Sequence, residues 1–513
     1  MRKDFFYDVN SRFTEESVIF VSIFKWFVLA TAIGVVIGLS TTLFVKALDW
    51  SVKAADLAVP FYILLPIALV ANVLFLKYVF PSGDAHTTDK VIEYIHKFKR
   101  IPGWSLVTAF FAPIITIAGG GSVGKEAPAA DIGATIGSIF GNVFRLDSDD
   151  ARKLTICGIS AGFAAVFGTP LAGAVFGIEV LFVGSLLYEV LLPSFIAGIT
   201  AYGVSSALGI PYFYHPIDFV PVFTEAFFIK VVIAGVFFGL CTFLLIEVLK
   251  RAKAAAKGLP GQDWVKALVA GLVLSALALV FSTQYLGLGM ETINGALSGS
   301  AVVWYAFLLK MVFTGITLGF GGSGGIVTPV LFIGAAAGSV FAHFMGLDPA
   351  TFAAIGLVAV LAGATNTPIA ASILSVELFG AKLAPYAMVA CVISFIMTGH
   401  RSVYPSQVLS MKKSSSLDVE TGKRIHETHP HYHRRDGTLV ALMDDTVGEG
   451  VRRTTRSISH IPDHLPKRFH LPIPRMEDLA KPPGKGVAEK PSEGKTGASV
   501  PEKKTDGNDG KNA

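Results

Sequence analysis

The 513-residue chain is 52% hydrophobic and only 16% charged, with a formal net charge of +5 and a mean hydropathy of +0.58. So few charged side chains cannot coat a soluble globular surface, which excludes a soluble enzyme or binding module and leaves a polytopic, all-α integral membrane protein. The small basic excess calls for no nucleic-acid partner, because basic cytoplasmic flanks of membrane helices account for it.

In chain order, residues 1–16 form a charged, aromatic leader expected on the cytoplasmic side. The apolar stretch that follows has no small-residue cleavage site and reads as a retained helix, not a signal peptide. Apolar stretches recur to about Tyr404, among them "FYILLPIALVANVLFLKYVF" ending at Phe80 and "AFFIKVVIAGVFFGLCTFLLIEVL" ending at Leu249. Each is long enough to cross about 30 Å of hydrocarbon. They must be helices, since lipid leaves the backbone to satisfy its own hydrogen bonds. Cys157, Cys241 and Cys391 all fall in apolar segments, without metal-ligand spacing, and read as small packing residues.

The connection "GIPYFYHPIDFVPVF" from Gly209 to Phe223 has no lysine or arginine, whereas "LKRAKAAAKGLPGQDWVK" from Leu249 to Lys266 is rich in them. The positive-inside bias places the second in the cytoplasm and the first outside. From Met411 aromatics thin out and charges accumulate, so 406–513 is expected to be a largely disordered cytoplasmic tail. Its "HETHPHYHRR" segment, with His426, His429, His431 and His433, reads as a solvated basic stretch and not a metal site. The tail has no nucleophile–base or phosphate-loop constellation, so neither enzymatic activity nor a cofactor is expected of it.

The chain also repeats itself. With Pro128 laid over Pro329, "GSVGKEAPAADIGATIGSIF" from Gly121 matches "GSGGIVTPVLFIGAAAGSVF" from Gly322 at ten of twenty positions without a gap. After a three-residue adjustment, "GTPLAGAVFGIEV" ending at Val180 lies over "NTPIAASILSVEL" ending at Leu378, pairing Glu179 with Glu377. Two halves follow, 17–210 and 211–405. In transporters such repeats enclose a midplane site built from interrupted helices. Here Gly119 to Gly121, with Gly124 and Pro128, interrupt one apolar run, and Gly321 to Gly325 with Pro329 interrupt its counterpart. Each break leaves unpaired N–H groups at a helix N-terminus inside the membrane, which an anion would satisfy.

Lys125 and Glu126 stand at the first break. The Glu126 carboxylate, in the first turn of its helix, is expected to reach back to the N–H groups an anion would use, as a tethered competitor that yields when protonated. Lys125 points off a different face, raising the local potential or anchoring the loop. The counterpart of Glu126 is Val327, so the fold itself does not require the carboxylate.

"GKEAP" at Gly124 to Pro128, "GGIVTP" at Gly324 to Pro329, "PLAGAVFGIEV" at Pro170 to Val180 and the lone Tyr404 after the last helix resemble the CLC family of chloride channels and chloride/proton exchangers. The resemblance covers about 20–405 and implies a homodimer of tilted and interrupted helices in an inverted repeat, with one anion pathway per subunit. It implies that Glu126 is the gate, with Gly124, Lys125, Ala127, Pro128, Gly324 and Gly325 in the pore loops. By the same resemblance, the N–H groups of Ile326 and Val327 and the Tyr404 hydroxyl hold the central chloride.

Two departures stand out. The family's serine-bearing "GSGIP"-like loop is replaced by "GDAHTTDKVIEYIH" (Gly83 to His96), where either Thr87 or Thr88 could supply the hydroxyl, or either could simply cap a helix. The position of the exchangers' inner proton-transferring glutamate is Val180, and Glu179 stands one residue earlier, about 100° around a helix. Valine there, and lysine before the gating glutamate, resemble the channel members. The expectation is therefore a passive chloride channel in the plasma membrane, with a chloride/proton antiporter of the same fold as the alternative.

Overall fold

The computed structural model describes residues 2–58, 61–79, 87–217, 224–414, 417–428 and 431–432. Sixteen α-helices account for most of these. The first repeat holds α1 (Arg2–Ala58), α2 (Phe61–Val79), α3 (Thr88–His96), α4 (Trp104–Ala118), α5 (Glu126–Val143), α6 (Ser148–Phe167), α7 (Pro170–Glu179) and α8 (Leu191–Ala207). The second holds α9 (Glu225–Gly258), α10 (Asp263–Val280), α11 (Met290–Leu297), α12 (Ala306–Gly319), α13 (Val327–Met345), α14 (Pro349–Thr365), α15 (Pro368–Phe379) and α16 (Ala384–Met397). Among the described residues, five helical stretches are long and apolar enough to cross a membrane, including Thr14–Ala55 and Val327–Met345. The leader has no glycine or proline to stop a helix, and its backbone continues α1 from Arg2.

The repeat is visible in how helices start and stop. Asp147 caps α6 by accepting from Asp150 N at 2.8 Å, and its counterpart Asp348 caps α14 by accepting from Thr351 N at 2.7 Å. Both helices end on a left-handed residue, Gly168 at φ 75° and Asn366 at φ 57°, and the next helices both begin on proline, Pro170 and Pro368.

Lipid offers no hydrophobic drive between helices, so close packing of small residues holds this body together. In α5 and α6 the backbones meet at glycines: a Cβ on Gly133 would lie 2.0 Å from the Gly158 carbonyl oxygen. The same approach recurs between α13 and α14, where a Cβ on Gly334 would lie 2.4 Å from the Gly356 oxygen. Gly34 and Gly38 bring α1 against Ala197 and Ala201 of α8 in the same manner. The three cysteines are buried and unpaired. Lys310 of α12 is fully buried, donates to the carbonyls of Tyr285 (3.1 Å) and Gly287 (2.9 Å), and stands over the Phe332 ring.

The packed body runs past the boundary drawn at 405. β1 (Phe182–Val183) pairs in parallel with β2 (Val408–Leu409), and Val419 and Ile425 join Val183 and Leu409 in a small apolar cluster. A further pair, β3 (Leu417–Asp418) and β4 (His431–Tyr432), is antiparallel. Lys413 donates to Asn366 Oδ1 at 2.6 Å and to the Phe395 carbonyl at 2.7 Å. Apolar residues at these few positions let the chain beyond Tyr404 pack even though its overall composition is polar. His426 is held by the Pro405 carbonyl, whereas His429 and His433 lie outside the described residues.

Candidate functional site

The two glycine breaks meet head to head. Gly124 N donates to Gly325 O at 2.6 Å, and Gly325 N donates to Gly124 O at 2.7 Å. These two residues are counterparts in the repeat, so the clasp lies on the internal two-fold relation. Around it Ser122 N donates to Thr317 Oγ1 at 3.2 Å, and Ser323 N donates to Thr116 Oγ1 at 3.0 Å, again a pair of counterparts. Glycine is needed at the clasp because a Cβ on Gly124 would lie 2.4 Å from Thr328 Oγ1 and 2.6 Å from Glu126 Oε2. Gly324, at φ 154°, adopts a backbone that suits glycine.

This arrangement points the N-termini of α5 and α13 at one another. Ile326 and Val327, both buried, open α13, and their N–H groups precede its first intrahelical bond, from Val330 N to Ile326 O at 3.0 Å. Lys125 and Glu126 open α5 in the same way, followed by Ala127 and Pro128. Lys125 is half-buried, and Glu126 is 4% exposed.

Glu126 does not reach back to its own helix, as the sequence suggests. Its Oε2 accepts from Thr328 N at 3.2 Å and from the Thr328 hydroxyl, in the first turn of α13 in the opposite repeat. The Gly124–Gly325 clasp brings that foreign N-terminus within reach, which no reading of one helix alone could anticipate. The carboxylate therefore occupies a place where helix polarity and free N–H groups favour negative charge.

Tyr404 lies in the segment after α16, 4% exposed, and its hydroxyl has no hydrogen-bond partner among the described residues. Ser402 Oγ accepts from Tyr404 N at 2.9 Å, and Asp89 at the start of α3 accepts from Ser406 N at 2.7 Å and from the Ser406 hydroxyl. The N-terminus of α3 is thereby tied to the tyrosine. Of the two candidate threonines, Thr87 is exposed and takes the N-cap position of α3 without a side-chain capping bond, while Thr88 is buried in the first turn of that helix. Asp131 and Thr328 escaped the sequence reading. Asp131 is the third charge in the stretch holding Lys125 and Glu126, and that was its available signal.

Glu179 and Glu377 form a crossed pair of caps. Glu179 accepts from Ile369 N at 3.0 Å and from Ala370 N at 2.8 Å, at the start of α15. Glu377 accepts from Leu171 N at 2.9 Å and from Ala172 N at 2.8 Å, at the start of α7. Each repeat thus completes a helix of the other, and both oxygens of Glu179 are engaged. Val180 is fully buried, and its carbonyl accepts from Gln407 Nε2 at 2.8 Å. Replacing Glu179 by alanine leaves two backbone donors at the start of α15 unmet, that of Ala370 buried, and should cost about 2–4 kcal/mol. A clear drop in the melting temperature of the detergent-solubilised protein, with a smaller drop for Glu179→Gln, is the expected result. An unchanged melting temperature for the alanine variant would remove the capping role.

A family model described as voltage gated chloride channel matches residues 67–399. The chain is 35% identical over 398 residues to a chloride/fluoride channel protein of Pseudomonas syringae pv. tomato, covering 76% of this chain and 87% of that protein. It is 25% identical over 386 residues to the H(+)/Cl(-) exchange transporter ClcA of Yersinia pestis bv. Antiqua, covering 68% of this chain and 79% of that protein. The crystal structure of a CLC-type fluoride/proton antiporter shares 29% identity with a TM-score of 0.72, over 75% of this chain and 98% of that one.

Proposed function

Because the chain belongs to the voltage gated chloride channel family, an integral membrane family of anion transporters, we propose that it carries chloride or a similar small halide passively across the plasma membrane through a pathway gated by Glu126. The observation that carries this reading is the Glu126 carboxylate seated on the first turn of α13, bonded to Thr328 N at 3.2 Å. A free anion would take that seat when the carboxylate is neutral or displaced. The N–H groups of Ile326 and Val327, the Tyr404 hydroxyl and the buried Thr88 are the donors it would then meet. The pathway is repeated in a homodimer, with halves 17–210 and 211–405 in each subunit and the tail in the cytoplasm.

Passive flow is supported by Val180, which offers no protonatable group at the inner position, and by Glu179, whose oxygens are spent on capping α15. Anion/proton exchange is the second reading, favoured by the antiporters among the similar proteins. Fluoride, named in two of the similar proteins, is the second anion to test. The deciding experiment is the reversal potential of the purified protein in planar bilayers under a fixed chloride gradient, with and without a pH gradient. A potential that stays at the chloride equilibrium value is expected; a shift with the pH gradient would replace passive flow by exchange.

A further inference from the structure

The basic stretch at the end of α9 has no part in the anion pathway, yet the fold gathers its lysines around one cavity. The cavity, of about 930 Å³, opens where the C-terminal ends of α2, α9 and α12 meet the start of α10. Lys77 of α2, Lys253 and Lys257 of α9 and Lys266 of α10 line it, against a single acid, Asp263. Lys266 Nζ lies 3.5 Å from Asp263 Oδ1, whose side chain is 83% exposed. Lys77, Lys253 and Lys257 pair with no carboxylate among the described residues.

The helix dipole accounts for Lys77 and Lys257, each in the last turn of its helix, but not for Lys266, which stands in the opening turn of α10 where a cation is disfavoured. Lys253 and Lys257 are four residues apart on one face of α9, a spacing at which like charges repel. An anion held in the cavity turns that repulsion into attraction. The start of α10 adds further donors. No side chain caps it: that of its N-cap residue, Gln262, instead accepts from the Trp264 indole. The N–H groups of Asp263 and Trp264 precede the first bonds of the helix, from Val265 N (3.0 Å) and Lys266 N (3.2 Å) to the Gln262 carbonyl. A helix start of this kind, set among lysines, suits a phosphate.

The remaining wall is apolar, with Leu74 and Leu76 of α2 beside Leu318 and Phe320 at the end of α12. Lysines that snorkel, an indole and an apolar wall together fit the boundary between lipid head group and acyl chain. The positive-inside bias puts this end of the bundle at the cytoplasmic leaflet, where anionic lipids are drawn to basic pockets between helices. We propose that the cavity binds the phosphate head group of an anionic phospholipid, with the lipid's acyl chains on the apolar wall. The cavity also borders Gly321, where the second glycine break begins, and Asn72 of α2 donates to Gly321 O at 2.6 Å and to Ser323 Oγ at 2.8 Å. A bound lipid therefore braces α2 and α9 against the loop that leads to Gly325. The site stands apart from Glu126 and does not depend on how anions cross.

The test is a thermal-shift titration of the full chain in a neutral detergent, with dioctanoyl phosphatidylglycerol, dioctanoyl phosphatidylcholine and inorganic phosphate as separate probes. Phosphatidylglycerol should raise the melting temperature saturably, and the other two probes at the same concentrations should not. Equal stabilisation by phosphatidylcholine would show that the lysines recognise nothing, and equal stabilisation by inorganic phosphate would make the ligand a soluble one; either result overturns the proposal. K253Q/K257Q should raise the phosphatidylglycerol midpoint by about fivefold per lysine removed, whereas K250Q/R251Q, on the same basic segment but outside the cavity lining, should leave it within about twofold. Equal losses in the two variants would reduce the effect to a diffuse basic surface and overturn the site. Should K253Q/K257Q fail to fold, D263N removes the one carboxylate that competes for Lys266. Its midpoint should fall, and an unchanged or higher midpoint overturns the proposal.

Discussion

Glu126→Gln and Glu126→Ala should both raise anion flux at neutral pH and make it independent of external pH. In the wild-type protein the carboxylate holds the seat on Thr328, and removing it frees that seat for an anion. Hydrogen bonds to a charged group contribute about 1.5–3 kcal/mol. Losing that competition should therefore raise occupancy of the seat by a free anion roughly 10- to 100-fold. Glutamine keeps the size and loses the charge; alanine loses both, so alanine should show the larger increase. Flux assays on reconstituted liposomes across external pH decide the matter. A variant that retained the wild-type pH profile would show that the Thr328 contact does not gate. Thr328→Val, which removes the hydroxyl and keeps the N–H, should lie between wild type and Glu126→Gln.

Gly133→Leu should abolish folding of the membrane body. Its Cβ alone would stand 2.0 Å from the Gly158 oxygen, and that neighbour is backbone, which cannot swing aside as a side chain can. Separating α5 from α6 would also disturb the first turn of α5, where Glu126 sits. A loss above about 4 kcal/mol is expected from overpacking at such a site, enough to unfold a marginally stable protein. The readout is the yield of monodisperse protein after detergent extraction. Gly203→Ala in α8 is the control: nothing lies within 4 Å of its Cβ. That change should be neutral or stabilise by about 0.5–1 kcal/mol through the greater helix propensity of alanine. Wild-type yield and melting temperature for Gly133→Leu would refute the close-packing account.

Much of this architecture is written in local chemistry. Runs of apolar residues specify membrane helices, and the paired glycine breaks specify where they are interrupted. The overlay of Pro128 on Pro329 also predicts which residues stand in equivalent places, and the shared caps at Asp147 and Asp348 follow the same register. The overlay that pairs Glu179 with Glu377 is matched by their crossed capping bonds.

What sequence could not supply was which half each polar group serves. Glu126, Glu179 and Glu377 all bond to backbone in the opposite repeat, at separations from 190 to 206 residues. Helical periodicity describes neighbours three or four positions away and is silent at that range. The packed stretch beyond Tyr404 was missed for a different reason. Composition averages over a segment, whereas its docking depends on a few apolar residues such as Leu409, Val419 and Ile425.

The crossed caps also set an order of assembly. As the chain is synthesised, the start of α7 waits with bare donors until Glu377 has been made, and Glu179 waits as long for α15. The first repeat cannot finish folding alone, and the finished body behaves as one cooperative unit. By the same logic, a cut in the connection between the repeats should leave two fragments that stay interlocked, each holding the pieces the other lacks.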